Sequence, residues 1–274
     1  MNRIIPRDLI KHLEWTPGAK PVTSRKTKKT VEIKSEAEVE FKENISKFIQ
    51  VGINGIYGKP VVISPFEMEG YNNKNYNNTH RMLLRNGLYM PTPFIFMTHF
   101  KNVMDAIQGR GKLLYADGTE VEEELKVDIY KHLTEDFKDA YGGENPGAWT
   151  WLNAQFEEGD EWKLKTVIGI DEAKKKLKIK TETLESFLEE DCLVDLSFNS
   201  QGLPKPDARS VSQEYKKRKN IYFYQPQDNA VARFNANSDG ARLNCNGNPS
   251  VRDASLGVFG CAEGTHKKVE EARI

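Results

Sequence analysis

Cysteine is scarce: Cys192, Cys245 and Cys261 are the only three in 274 residues. That number is too small, and odd, for a disulfide scaffold, and with no Cys-x-x-Cys pair a zinc ribbon is excluded. Reduced thiols and no structural metal are the expectation. Charge of one sign is missing as well, since 40 basic residues face 40 acidic ones and the formal net charge is +0. No global field steers such a chain onto nucleic acid or an anionic membrane, so neither is expected as its ligand. Long apolar runs are absent too. None approaches the roughly 18 to 20 residues needed to span a bilayer, and the start, Met1-Asn2-Arg3-Ile4-Ile5-Pro6, lacks a signal peptide's apolar stretch. The chain is therefore expected to be mature as written, and cytoplasmic, virion-associated or surface-displayed by an unrecognised route. A content of 38% hydrophobic and 29% charged residues excludes collagen-like, coiled-coil and wholly disordered classes.

Signatures of chemistry are equally sparse. The histidines His12, His80, His99, His132 and His266 show no HExxH or short His/carboxylate spacing, so neither a metal site nor a His-activated nucleophile is read. No GxSxG, P-loop or GxGxxG occurs. Gly109-Arg110-Gly111-Lys112 lacks the flanking glycine and Ser/Thr of a Walker loop and reads as a helix-ending turn. The acids Glu157, Glu158, Asp160 and Glu161 sit among turn residues and read as a solvated loop rather than a calcium or acid/base site. No catalytic residue, cofactor or enzyme activity is assigned.

What is present falls into a series of segments. Pro17 to about Lys34, with Arg25-Lys26-Thr27-Lys28-Lys29 at its centre, has little apolar surface to bury and reads as a solvated arm within residues 1–40. Residues 41–274 read as one domain. A short helix is expected over Ala37–Val51, followed by strand and loop to Tyr89. Within that stretch Tyr71–Asn78, with its five asparagines, reads as an exposed loop. Met90–Met97 reads as an extended segment before a helix over His99–Gln108. Leu125, Ile129, Leu133, Phe137 and Ala140 recur every three or four residues, which predicts a helix from Val121 to about Tyr141. Short strands are then expected at Trp149–Phe156, Trp162–Ile170, Leu193–Phe198, Ile221–Tyr224, Val231–Phe234 and Leu256–Cys261. Two helices in the middle and many short strands afterwards make the fold class α+β with antiparallel pairing.

The informative stretch runs from Asn229 to Glu263. Ala230, Ala232, Phe234, Ala236, Leu243 and Cys245 alternate there with Asn229, Arg233, Asn235, Asn237, Asp239, Arg242, Asn244 and Asn246. A period of two puts one set inside and the other outside. The outer set is unusual, because asparagine is disfavoured in strands. Ala230-Val231-Ala232-Arg233-Phe234, Leu243-x-Cys245, Asn248-Pro249 and Ser255-Leu256-Gly257-Val258 resemble the variable region of proteins diversified by diversity-generating retroelements. Met90-Pro91-Thr92-Pro93-Phe94, Ala148-Trp149-Thr150-Trp151-Leu152-Asn153, Gln201-Gly202-Leu203-Pro204 and Ile221-Tyr222-Phe223-Tyr224 look like the scaffold of such proteins. The resemblance covers roughly residues 50 to 264.

That resemblance implies a C-type lectin-like domain of the formylglycine-generating-enzyme subtype, with a variable region at about 229–258. It implies that adenine-directed mutagenesis rewrites asparagine codons, so that the surface meets changing targets. The ligand surface it implies consists of Arg233, Asn235, Asn237, Asp239, Gly240, Arg242, Asn244, Asn246, Gly247, Asn248 and Arg252, with Phe234, Ala236, Leu243, Cys245, Leu256 and Val258 as scaffold beneath. Trp149 and Trp151 are candidate buried anchors or, alternatively, a stacking platform. The expected partner is a protein or glycan, and oligomers are compatible. Two alternatives stand beside this reading. A formylglycine-enzyme-like oxidase would need a close cysteine pair, whereas fifteen residues separate Cys245 from Cys261. A fixed-specificity lectin would use a calcium triplet that Gln225-Pro226-Gln227-Asp228 only approaches.

Overall fold

The computed structural model describes residues 45–134 and 147–263, with two short strands between them. The basic arm and the tail from 264 lie outside the described residues. The first strands, β1 (Ile49–Asn54) and β2 (Pro60–Ile63), pair antiparallel with Ile49 opposite Ile63. The last strand, β12 (Cys261–Glu263), returns to the other edge of β2, giving a three-stranded sheet that joins the two ends of the described domain.

Between them come three helices, α1 (Tyr76–Arg85), α2 (Pro93–Ile107) and α3 (Glu123–Thr134), then a two-stranded ribbon of β3 (Phe137–Lys138) and β4 (Glu144–Asn145). The main sheet comprises β5 (Trp149–Glu157), β6 (Lys163–Asp171), β7 (Lys176–Thr183), β8 (Cys192–Asp195), β9 (Asn220–Tyr224), β10 (Val231–Asn237) and β11 (Gly240–Gly247). Its strand order is β7-β6-β5-β10-β11-β9-β8, antiparallel throughout except for the parallel pair β11–β9. The class is α+β.

Two apolar cores hold this sheet. On one face, Phe96 and Phe100 of α2 pack their rings on Phe234, with Ile129 and Leu133 of α3 in the same cluster. On the other face, α1 covers only the β5 end. Tyr76 meets Trp151 edge to face, 5.7 Å between centroids, within a second cluster that includes Leu83, Leu256 and Val258. The remainder of that second face, over β10, β11 and β9, carries the polar residues of the alternating segment.

Several sequence expectations are corrected. The domain has three helices among the described residues where two were expected. The asparagine tract starts α1 rather than forming an exposed loop: the Asn75 side chain caps it by accepting from the Asn78 amide at 3.0 Å, and Tyr71 and Tyr76 are buried. The property that suits asparagine to turns, a short acceptor beside its own backbone, also suits it to helix starts. Pro93–Met97 is helix, not extended chain. Thr92 caps it through Oγ1, and Pro93 at the first helical position has no amide to leave unbonded. Apolar side chains surround α2 because it is central, which erased the amphipathic pattern. The third helix ends at Thr134, and Phe137 belongs to β3; residues 139–143 lie outside the described residues. Of the helix expected over Ala37–Val51, residues 45 and 46 are helical, the earlier ones lie outside, and Ile49 already opens β1. Only Cys261 of the expected strand Leu256–Cys261 is strand. The strand β7 was not anticipated because its lysines leave a weak apolar pattern, as befits a protected sheet edge.

Candidate functional site

The hairpin β10–β11 occupies the middle of the main sheet. Phe234 opposes Leu243 and Ala236 opposes Ala241; these side chains point to the α2–α3 core and are buried, as is Cys245. The alternate pairs, Arg233 with Asn244 and Asn235 with Arg242, project from the opposite face, and Asn237 and Asn246 continue it along each strand. All six of these outward residues are half-buried. From Arg233 to Asn237 and from Ala241 to Asn246, core packing thus determines every second residue, while Val231, ahead of a register shift, packs in the second core.

Contacts on this face are mostly internal to it. Asn244 Nδ2 donates to Asn235 Oδ1 at 2.6 Å, and the Arg242 guanidinium pairs with Asp239 at 2.9 Å. Asn237 Oδ1 accepts from the Asp239 amide within the turn, at 3.0 Å. Arg233 lies over the Trp151 ring at 5.9 Å, and burial pulls its pKa down against the opposing influence of Asp253. The Nε atoms of Arg233 and Arg242 are buried and have no hydrogen-bond partner among the described residues.

Two of the expected surface residues are corrected. Gly240 and Gly247 are buried. Gly240 has φ +121, and a Cβ there would stand 2.6 Å from the Tyr215 ring, so it serves the turn and the close approach of that ring. At Gly247 a Cβ would stand 2.6 Å from Arg233 Nε and 2.7 Å from the Val231 carbonyl oxygen. Both are requirements of the backbone and present nothing to a ligand. Asp239 is exposed at the hairpin turn. Asn248 and Arg252 are exposed too, but on the loop after β11 rather than on the paired strands. That loop is tied down by the amides of Tyr76 and Asn73, which donate to the carbonyls of Pro249 and Asp253, and by reciprocal bonds between Gly257 and β5.

The register brings in aromatic residues that sequence reading placed in the scaffold or passed over. One row across the sheet runs Trp149, Asn235, Arg242, Tyr222, Leu193; the next runs Trp151, Arg233, Asn244, Tyr224. Trp151 is fully buried, with Nε1 donating to the Lys74 carbonyl, whereas Trp149 is partly exposed at the margin of the polar face. The Glu67 carboxylate holds Trp149 in place, accepting from its amide at 2.9 Å and pairing with His132 on α3. At the other margin Arg242 lies over the Tyr222 ring at 5.6 Å, and Tyr215 stacks on the same ring at 6.2 Å. The alternation Tyr222-Phe223-Tyr224 signals this arrangement in the sequence. Only the parallel pairing of β9 with β11 shows which face the tyrosines join.

The three thiols are free. Cys245 lies in the main sheet and Cys261 in the three-stranded one, and burial pushes both thiols well above the ordinary cysteine range. Among the described residues, no group of three or more His, Cys, Asp or Glu is placed to hold a metal ion, and no helix is long and apolar enough to cross a membrane. Comparison with family models, curated proteins and solved structures finds no match to this chain.

Proposed function

We propose that this chain is a ligand-binding protein of the diversity-generating retroelement type, built on a C-type lectin-like domain, and that the outward face of β10–β11 is its variable binding surface. One observation carries the reading. In two adjacent central strands every inward residue is a buried packing residue, while Arg233, Asn235, Asn237, Arg242, Asn244 and Asn246 share the opposite face. A surface built to change needs this separation, because its side chains must be replaceable without altering the backbone beneath. Asparagine on so many strand positions has no folding rationale, since it is a poor strand former. It has one if its codons are the substrate of adenine-directed mutagenesis.

A binder is favoured over a cysteine oxidase. The nucleophilic form of cysteine is the thiolate, and burial holds Cys245 and Cys261 protonated. Ligands that suit the face are polar, a protein or a glycan, recognised by hydrogen bonds from the amides and by the two arginines. The aromatic margins, Trp149 and Tyr222, supply rigid contact area around it.

The test is a library in which Asn235, Asn237, Arg242, Asn244 and Asn246 are randomised on the intact chain and panned against surface proteins and glycans. Folded variants with different ligands are expected. If all folded variants share the parent's ligands, recognition lies elsewhere. Sequencing the DNA beside the gene is an independent check, expected to reveal a near-identical template repeat differing at adenines.

A further inference from the structure

On the same sheet face, beyond the variable rows, lies a groove of about 280 Å³ between β9, β8 and the segment 209–213. Its floor continues the rows already described, with Tyr222 and Tyr224 from β9 and Leu193 opposite Tyr222 on β8. Its wall is anchored to the sheet edge, for the Ser210 amide donates to the Leu193 carbonyl and the Asp195 amide to the Ala208 carbonyl, both at 2.8 Å. The cavity is therefore part of the domain's framework, and none of its residues belongs to the alternating asparagine set.

The charges lining it are largely committed. Arg209 pairs with Glu190 at 2.8 Å, and Asp191 uses Oδ1 to accept from the Gln225 amide at 2.8 Å, which leaves Oδ2 open. An anion would meet Asp191 and an already neutralised arginine, and a cation would meet Arg209. Phenol and amide groups remain: the Tyr222 and Tyr224 hydroxyls and the Gln213 amide make no hydrogen bond to described residues. The Tyr222 ring is already covered by Arg242 and Tyr215, so it offers its hydroxyl, while Tyr224 offers a ring as well. One aromatic ring, neutral donors and acceptors, and one carboxylate oxygen match a neutral ring carrying several hydroxyls. The volume lies just under the range of about 300–1,000 Å³ for drug-sized ligands, which suits a single ring.

We infer that this groove is a fixed subsite for one neutral sugar residue, contiguous with the changeable hairpin. The inference rests on the outer face being the ligand face. A constant site of low affinity would hold the common part of glycosylated targets while the hairpin discriminates among them, and the two contacts together would raise the effective concentration at each.

The experiment titrates the isotopically labelled full chain with methyl α-mannoside, methyl β-galactoside and N-acetylglucosamine, following backbone amides by NMR, with inorganic phosphate and tetramethylammonium as charged comparators. At least one sugar is expected to shift Leu193, Gln213, Tyr222 and Tyr224 with a Kd of about 1 to 10 mM, as for a single small contact. Tyr224→Ala and the exposed-site variant Gln213→Ala should each weaken it about tenfold or more, while Glu172→Ala, exposed in the turn between β6 and β7, changes it less than about twofold. No response to any sugar, an undiminished response in both groove variants, or a stronger response to either ion overturns the subsite. Failure of the sugar titration with library panning intact removes the groove alone. Sugar binding alongside unchanged ligands across the library removes the variable-face reading alone.

Discussion

At the scale of single residues, the hairpin divides its labour by parity. Leu243 has no exposure and packs in the core, whereas its neighbour Asn244 is half-exposed and bonds to Asn235. Leu243→Ala is expected to cost about 2 to 5 kcal/mol through lost burial and a residual cavity. Asn244→Ala forfeits one surface hydrogen bond, about 0.5 to 1 kcal/mol. Denaturant titration of both variants checks the contrast, and equal losses would contradict the division. Residue chemistry also sets the response to acid. His80 and His99 are fully buried, and burial lowers their pKa values from 6.5 to about 3 and about 4. Neither ring nitrogen of His99 has a hydrogen-bond partner among the described residues. In the unfolded chain both titrate near 6.5, so below that pH the unfolded state binds more protons. Stability conferred by the neutral rings is complete above pH 6.5. It falls as the pH drops toward the folded values, by up to about 1.4 kcal/mol per pH unit for each histidine. Urea melts at steps between about pH 4 and 8 test this, with His99→Leu expected to flatten the slope by about one proton's worth.

At the scale of elements, the helices depend on capping residues that composition alone misassigns. Asn75 and Thr92 each satisfy an amide at a helix start that would otherwise be unpaired. Asn75→Ala and Thr92→Ala are expected to destabilise the domain by about 1 kcal/mol each, and Asn75→Asp to retain most of that stability, because an aspartate accepts the same bond and suits the helix dipole. Thermal melts of the three variants decide it; no loss in Asn75→Ala would mean that burial of Tyr71 and Tyr76 alone places α1. The position of α1 matters for the proposed binding face. Its packing on Trp151 closes one end of the sheet's outer surface, and the loop carrying Asn248 and Arg252 is bonded to its first turn.

At the scale of the whole molecule, the main sheet is covered unequally. The α2–α3 face is buried along the β5, β10, β11 and β9 strands, through residues such as Phe156, Phe234, Leu243 and Phe223. The opposite face is covered by the second core only around Trp151, Val231 and Leu256. Strands at the centre of a sheet are hydrogen-bonded on both edges, so the backbone beneath the open part of the outer face is held from both sides. The three-stranded sheet secures the return of the chain after the β10–β11 hairpin and its following loop, since β12 pairs with β2 immediately beyond Val258 and Phe259. The outward side chains of β10 and β11 thus lie within a frame closed on both sides of them in sequence.

The sequence by itself determined the mixed class, the inward and outward sets of the hairpin, and the polar character of its exposed face. These follow from a period of two and from side-chain chemistry, which act over neighbouring residues. It did not determine which glycines are surface and which are packing requirements, for Gly240 and Gly247 acquire their roles from Tyr215, Arg233 and Val231. Nor did it show that Asn75 begins a helix rather than a loop, because the same side-chain acceptor serves both and the burial of Tyr71 and Tyr76 selects between them. The order β5-β10-β11-β9-β8 was beyond local pattern altogether. Only the tertiary fold sets Trp149 and Tyr222 on either side of the asparagine rows and opens the groove past Tyr224, since pairing between segments far apart in the chain is decided by the cores they jointly bury.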